Sequence, residues 1–114
     1  MTSPFTAALD GLARQRGVIG ALVVSERDGI VVDAQVHESV RAAIVAALAA
    51  SLYRRARLSA EAAGLGVSQY VELVAERGRL AMVGRGDLVF AVLAEPHASA
   101  GRLRVDLLRC AEAL

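Results

Sequence analysis

The chain is 114 residues long, 55% hydrophobic and 22% charged, with 13 basic residues set against 12 acidic ones for a formal net charge of +1. That length gives one domain, residues 1–114, with a real core, since a chain of this size buries roughly two-thirds of its unfolded surface. So high an apolar fraction excludes intrinsic disorder, and so balanced a charge excludes a nucleic-acid binder that works through a basic field.

Ser3-Pro4 marks a helix start, because serine caps orphan backbone donors and proline suits the first helical position. Phe5, Ala8, Leu9 and Leu12 follow at helical spacing, and Gly17 offers a left-handed stop. Val18 to Val24 is an unbroken apolar run of strand length. The turn Glu26-Arg27-Asp28-Gly29 then leads to a return strand, Ile30–Val36, interrupted by Asp33 and Gln35. A strand apolar on both faces is covered on both, so the first is central and the second peripheral.

Ser39 opens a long second helix that runs to about Ala63 and is closed by Gly64. Val40, Ile44, Leu48 and Leu52 make one i, i+4 ridge, flanked by Ala43, Ala46, Ala47 and Ala50. So small a flank permits close helix–helix approach. Val67–Glu76 alternates, with Val71, Leu73 and Ala75 on one face and Tyr70, Glu72, Val74 and Glu76 on the other. Gly78 sits in a turn, Leu80–Val83 forms a short strand, and Gly84-Arg85-Gly86-Asp87 turns the chain again. Leu88–Leu93 is a second central strand, ended by Pro96. Ser99–Leu114 closes the chain as a helix with Leu103, Leu107, Cys110, Ala111 and Leu114 on its apolar stripe. The order αββαβββα, with two strands needing cover on both faces, gives an α/β sandwich.

All 13 bases are arginine. Without lysine there is no P-loop, no protein-kinase site and no Schiff-base chemistry. The single cysteine, Cys110, closes no intramolecular disulfide, so a reducing cytoplasm is the expected compartment. The first residues lack the pattern of a signal peptide. The longest uncharged stretch, Ala42–Tyr53, falls short of the roughly 20 residues of a membrane span.

The ordered combination of Gly17–Val24, Asp28-Gly29, the alanine-rich helix and Gly84–Asp87 leading into Leu88–Leu93 resembles the roadblock/LC7 family, whose dynein light-chain-like fold is related to profilin and longin modules. The resemblance implies a five-stranded antiparallel sheet in the order 2-1-5-4-3. The long helix would cover one face, and the first and last helices the other. It also implies a homodimer in which the third strand pairs edge to edge and the long helices lie side by side. The implied interface is Tyr70, Val71, Glu72, Leu73 and Val74 together with Ala43, Ala47 and Ala50. That edge contains neither proline nor lysine, the usual devices against strand pairing.

Arg54, Arg55 and Arg57 form either a partner surface, as bacterial family members present to a Ras-like GTPase, or a solvated helix end favoured by the helix dipole. His37-Glu38-Ser39-Val40-Arg41 has arginine where a zinc-protease motif needs its second histidine, and His97 stands alone in a loop. Arg85-Gly86-Asp87 reads as a hairpin turn, and Cys110 as a buried, inert thiol. No catalytic constellation, metal set or cofactor site emerges.

The expected protein is therefore a non-enzymatic, cytoplasmic homodimer. Its expected partners are a second copy and, through the family resemblance, a small Ras-like GTPase whose nucleotide cycle it modulates; neither nucleic acid nor a membrane span is expected. The alternative is a dimerisation or scaffold module that leaves GTP hydrolysis untouched. A small-molecule sensor is a third reading, weakened by the scarcity of aromatic recognition groups.

Overall fold

The computed structural model describes residues 3–113. Its elements are α1 (Thr6–Ala13), β1 (Val18–Ser25), β2 (Val31–Val36), α2 (Ala42–Ala62), β3 (Val71–Ala75), β4 (Gly78–Arg85), β5 (Leu88–Ala94) and α3 (Ala100–Ala113). The five strands form one antiparallel sheet in the order β2-β1-β5-β4-β3. The two unbroken apolar runs thus lie inside the sheet, as their sequences require, and are neighbours there, as the family resemblance implies. Leu22 pairs with Ala91 and Val23 with Phe90, and consecutive side chains go to opposite faces.

Those faces carry two separate cores. Ala21, Val23, Phe90 and Val92 pack with Leu9 and Leu12 of α1 and Leu103, Leu107 and Ala111 of α3. Leu22, Val24, Met82, Val89 and Ala91 pack under Ala46, Ala49, Ala50 and Tyr53 of α2. The rings of Phe5 and Phe90 meet edge to face at 5.9 Å and fasten the entry of α1 to the sheet. This is the α/β sandwich read from the sequence, with α2 on one face and α1 and α3 on the other.

Several boundaries differ. Ser3 Oγ accepts a hydrogen bond from Phe5 N–H at 3.1 Å, but the residue before the helix is Phe5, which makes no side-chain cap. Helix α2 begins at Ala42 rather than Ser39, because Arg41 is extended and Val40 N–H bonds back to His37 O in a turn. Strand β3 starts at Val71, not Val67. The chain leaving α2 passes through left-handed Gly64 and Gly66, and Tyr53 Oη donates to Ser68 O at 3.4 Å, so the backbone does not yet lie along β4.

Strand β4 is longer than expected and absorbs Gly78 and Gly84, which do not turn the chain. Both glycines serve close approach. A Cβ on Gly78 would come within 2.8 Å of Ala94 O, and one on Gly84 within 2.5 Å of Tyr53 Cε2. The turn itself lies at Gly86-Asp87, where Gly86 has φ +58°.

Candidate interaction surface

The long helix seats three alanines and one tyrosine inward. Ala46, Ala49, Ala50 and Tyr53 recur at 3- and 4-residue spacing and meet the Leu, Val and Met side chains of the sheet. With about 3.6 residues per turn, Ile44, Leu48, Ser51, Arg55 and Leu58 fall on the opposite side. All five are exposed, Leu48 by 55%. The ridge of bulky aliphatics therefore does not enter the core as a unit. Its members Ile44 and Leu48 face out, while Leu52 is half-buried against the sheet.

The edge strand lies along one flank of this helix. Leu73 and Ala75 of β3 line a groove of about 300 Å³ with Val45 and Leu48 of α2, floored by Leu80 and Leu93. Leu73 is 47% exposed. Val71 is half-buried against the α2 core, whereas Val74 is exposed.

The other face of β3 is polar. Tyr70 Oη donates to Glu72 Oε2 at 3.2 Å, and Arg79 reaches the same carboxylate at 3.6 Å. Arg104 of α3 stacks over the Tyr70 ring at 5.2 Å from its centroid. Burial first, and then the charge of Glu72, push the Tyr70 phenol up to about 12.

The alanines expected in the interface of the two long helices lie on another flank of α2. Ala50 is 2% exposed, and it and Ala47 face Gly29 in the β1–β2 turn, on the flank of α2 away from β3. Ala43 shares that flank by helical phase. Ala43 and Ala47 are exposed on this side and Ala50 is buried, and none of the three lines the groove beside the β3 edge. Val45 and Leu48 hold that position.

The three arginines separate in the same way. Arg57 grips Glu26 through two bonds, Nη2 to Oε1 at 2.6 Å and Nε to Oε2 at 3.3 Å. Arg54 donates to the backbone carbonyls of Glu26 and Arg27. The hydrogen bond from Arg57 to Glu26, and that group's negative charge, hold its guanidinium above its ordinary pKa. Both arginines thus tie the β1–β2 turn to α2. Arg55 is exposed between Leu48 and Leu58, and among the described residues no hydrogen bond or ion pair engages it. Sequence reading missed the role of Glu26, whose carboxylate four residues before Ile30 carries no motif.

The remaining candidates do not converge. His97 Nε2 lies 3.0 Å from Glu95 in an exposed loop. Burial pushes the half-buried Cys110 thiol up in pKa, away from the reactive thiolate. Among the described residues no three His, Cys, Asp or Glu side chains gather as a metal site, and no helix is long and apolar enough to cross a membrane.

This arrangement of sheet and helices recurs in known proteins. A Roadblock/LC7 domain from Streptomyces avermitilis superposes with a TM-score of 0.86 at 24% identity, over 97% of this chain and 94% of that one. MglB of Myxococcus xanthus gives 0.83 at 17% identity, over 96% and 93%. An uncharacterized protein of Methanocaldococcus jannaschii is 31% identical over 101 residues, 89% of this chain and 88% of the relative. The family model of the Roadblock/LC7 domain matches residues 5–94, and the chain belongs to that family.

Proposed function

We propose that the protein is a non-enzymatic regulator of the cytoplasm, working as a homodimer that binds a small Ras-like GTPase and modulates its nucleotide cycle. One observation carries the reading: α2 turns Ala46, Ala49 and Ala50 inward and offers Ile44, Leu48, Arg55 and Leu58 to solvent, beside an open strand edge. Burying alanine while exposing leucine forgoes core stabilisation, since a fully buried leucine contributes about 1.5–3 kcal/mol. A partner that covers the stripe recovers it.

The edge of β3 and the flank of Val45 and Leu48 receive the second copy, and the rest of the outward stripe, Ile44, Arg55 and Leu58, receives the GTPase. Arginine at the centre of an apolar patch is a frequent anchor of binding energy. The choice of a GTPase rests on family resemblance. Because Arg54 and Arg57 are committed to the Glu26 turn, regulation proceeds by ordering the GTPase's own switch segments, not by an arginine supplied from that pair.

The test is hydrolysis by the small GTPase encoded beside this gene, measured with and without the purified protein. Binding accompanied by a changed rate, both abolished by Arg55→Glu or Leu58→Ser in a folded variant, supports the proposal. Binding with an unchanged rate favours the scaffold reading, and no binding refutes the GTPase assignment.

A further inference from the structure

Strand β3 carries enough information to specify how a second copy would pair with it. The β3–β4 hairpin closes on Ala75 and Gly78, with only Glu76 and Arg77 between them. A ladder pair enclosing two residues can only be the kind that exchanges both backbone hydrogen bonds, because the next pair inward would be adjacent in the chain. Alternation along the ladder then makes Leu73–Leu80 and Val71–Met82 hydrogen-bonded pairs as well. The backbone groups of Glu72 and Val74 consequently point away from β4, to the open edge.

A two-fold axis perpendicular to the sheet joins two such edges antiparallel and keeps both α2 helices on one face. Only Glu72 and Val74 offer free donors and acceptors within β3, so the axis must pass through a residue position. Centred on Leu73, it pairs all five residues of Val71–Ala75. Centred on Glu72 or Val74, it pairs only three.

Charge separates the same options. Centring on Glu72 sets that carboxylate opposite its own copy, and centring on Val74 sets it opposite Glu76 of the second copy. Like charges directly across a ladder are destabilising. Centring on Leu73 sets Glu72 opposite Val74 and leaves each Glu72 with its own Arg79 at 3.6 Å.

We infer that two copies of this chain pair through β3 with the two-fold axis at Leu73, where the two leucines meet beneath the Val45 and Leu48 flanks of both α2 helices. The inference rests on the homodimer of the proposed function and adds its register. Leu73 and its copy form a pair without mutual backbone bonds, whose Cα atoms stand about 4.5 Å apart. That spacing lies inside the range a disulfide spans. Glu72 and its copy, like Val74 and its copy, are offset by two residues along the strands. Their Cα atoms stand about 8 Å apart, beyond a disulfide's reach.

The experiment replaces Cys110 by serine and introduces cysteine singly as Glu72→Cys, Leu73→Cys or Val74→Cys in the full chain. Mild oxidation and non-reducing electrophoresis read the covalent dimer, while sedimentation equilibrium under reducing conditions reads the non-covalent one. Leu73→Cys is expected to crosslink at least about ten-fold more than either neighbour, the separation expected when one pair lies within disulfide range and the others outside it. A mixture of Val71→Cys and Ala75→Cys chains is expected to crosslink where neither does alone, which covers the case of Leu73→Cys weakening the dimer.

A dimer that crosslinks best at position 72 or 74 overturns the register and leaves the dimer standing. So does a dimer in which no β3 position crosslinks, since it must use another surface. Protein that sediments as a monomer overturns the inference together with the homodimer on which it rests.

Discussion

Gly84 sits in the middle of a core contact that no other residue permits. The Tyr53 ring crosses the strand there, 3% exposed, with its hydroxyl on Ser68 O. An alanine Cβ would come within 2.5 Å of Tyr53 Cε2, where ordinary packing needs more than 3 Å, so ring or strand must shift by about 1 Å. Overpacking of this kind costs about 1–3 kcal/mol, and alanine returns roughly 0.5–1 kcal/mol by replacing glycine within a strand. The net expectation for Gly84→Ala is a loss of about 1–2 kcal/mol, or a Tm lower by roughly 4–8 °C in a chain of this length. Thermal and urea unfolding at one fixed protein concentration measure it, since a dimer links Tm to concentration. The control is Tyr53→Leu, which clears the space: in that background Gly84→Ala should cost less than about 0.5 kcal/mol. A Gly84→Ala protein as stable as the parent, or an equal loss in both backgrounds, refutes the assignment of this glycine to the tyrosine.

Glu26→Gln removes the charge that Arg57 grips and should lower Tm, by an amount that shrinks between low salt and about 1 M salt; a salt-independent loss would mean that packing, not charge, holds the turn. The raised Tyr70 phenol favours the neutral form in the folded chain. Its contribution is therefore fully present below pH about 10 and lost as pH rises towards 12, so Tyr70→Phe should flatten the alkaline fall in stability. Tyrosinate absorbance in a Tyr53→Phe background follows Tyr70 directly, and half-ionisation near pH 10 would contradict the buried phenol. Arg85 donates to Ala111 O and to Glu112 O at the end of α3, so Arg85→Ala should cost up to about 1 kcal/mol and speed amide exchange in that last turn.

The sheet was legible because its two central strands are apolar without a break and its turns carry glycine. Val18–Val24 and Leu88–Leu93 need cover on both faces, which places each inside the sheet between two layers of helix, and the family resemblance implied that they are neighbours. Gly78 and Gly84 misled for a physical reason. Glycine is read locally as a place where the chain bends, yet neither has positive φ; each is small because Ala94 O or the Tyr53 ring occupies the space of its Cβ. Those neighbours lie 16 and 31 residues away, so no local pattern announces them.

The candidate surface was legible in its strand and not in its helix. Alternation in Val71–Ala75 correctly put Leu73 and Ala75 on one face, because a strand has only two faces. A helix has a continuum, and its phase depends on which residues the sheet can accept. With Leu22, Val24, Met82 and Val89 already filling the α2 side of the sheet, little room is left and alanine fits it. Size thus overrules hydrophobicity in setting the phase of α2, and the bulky residues Ile44, Leu48 and Leu58 are turned out. The same exclusion that made the inward face small made the outward face sticky, which is why one helix both completes the core and supplies the surface where a partner is proposed to bind.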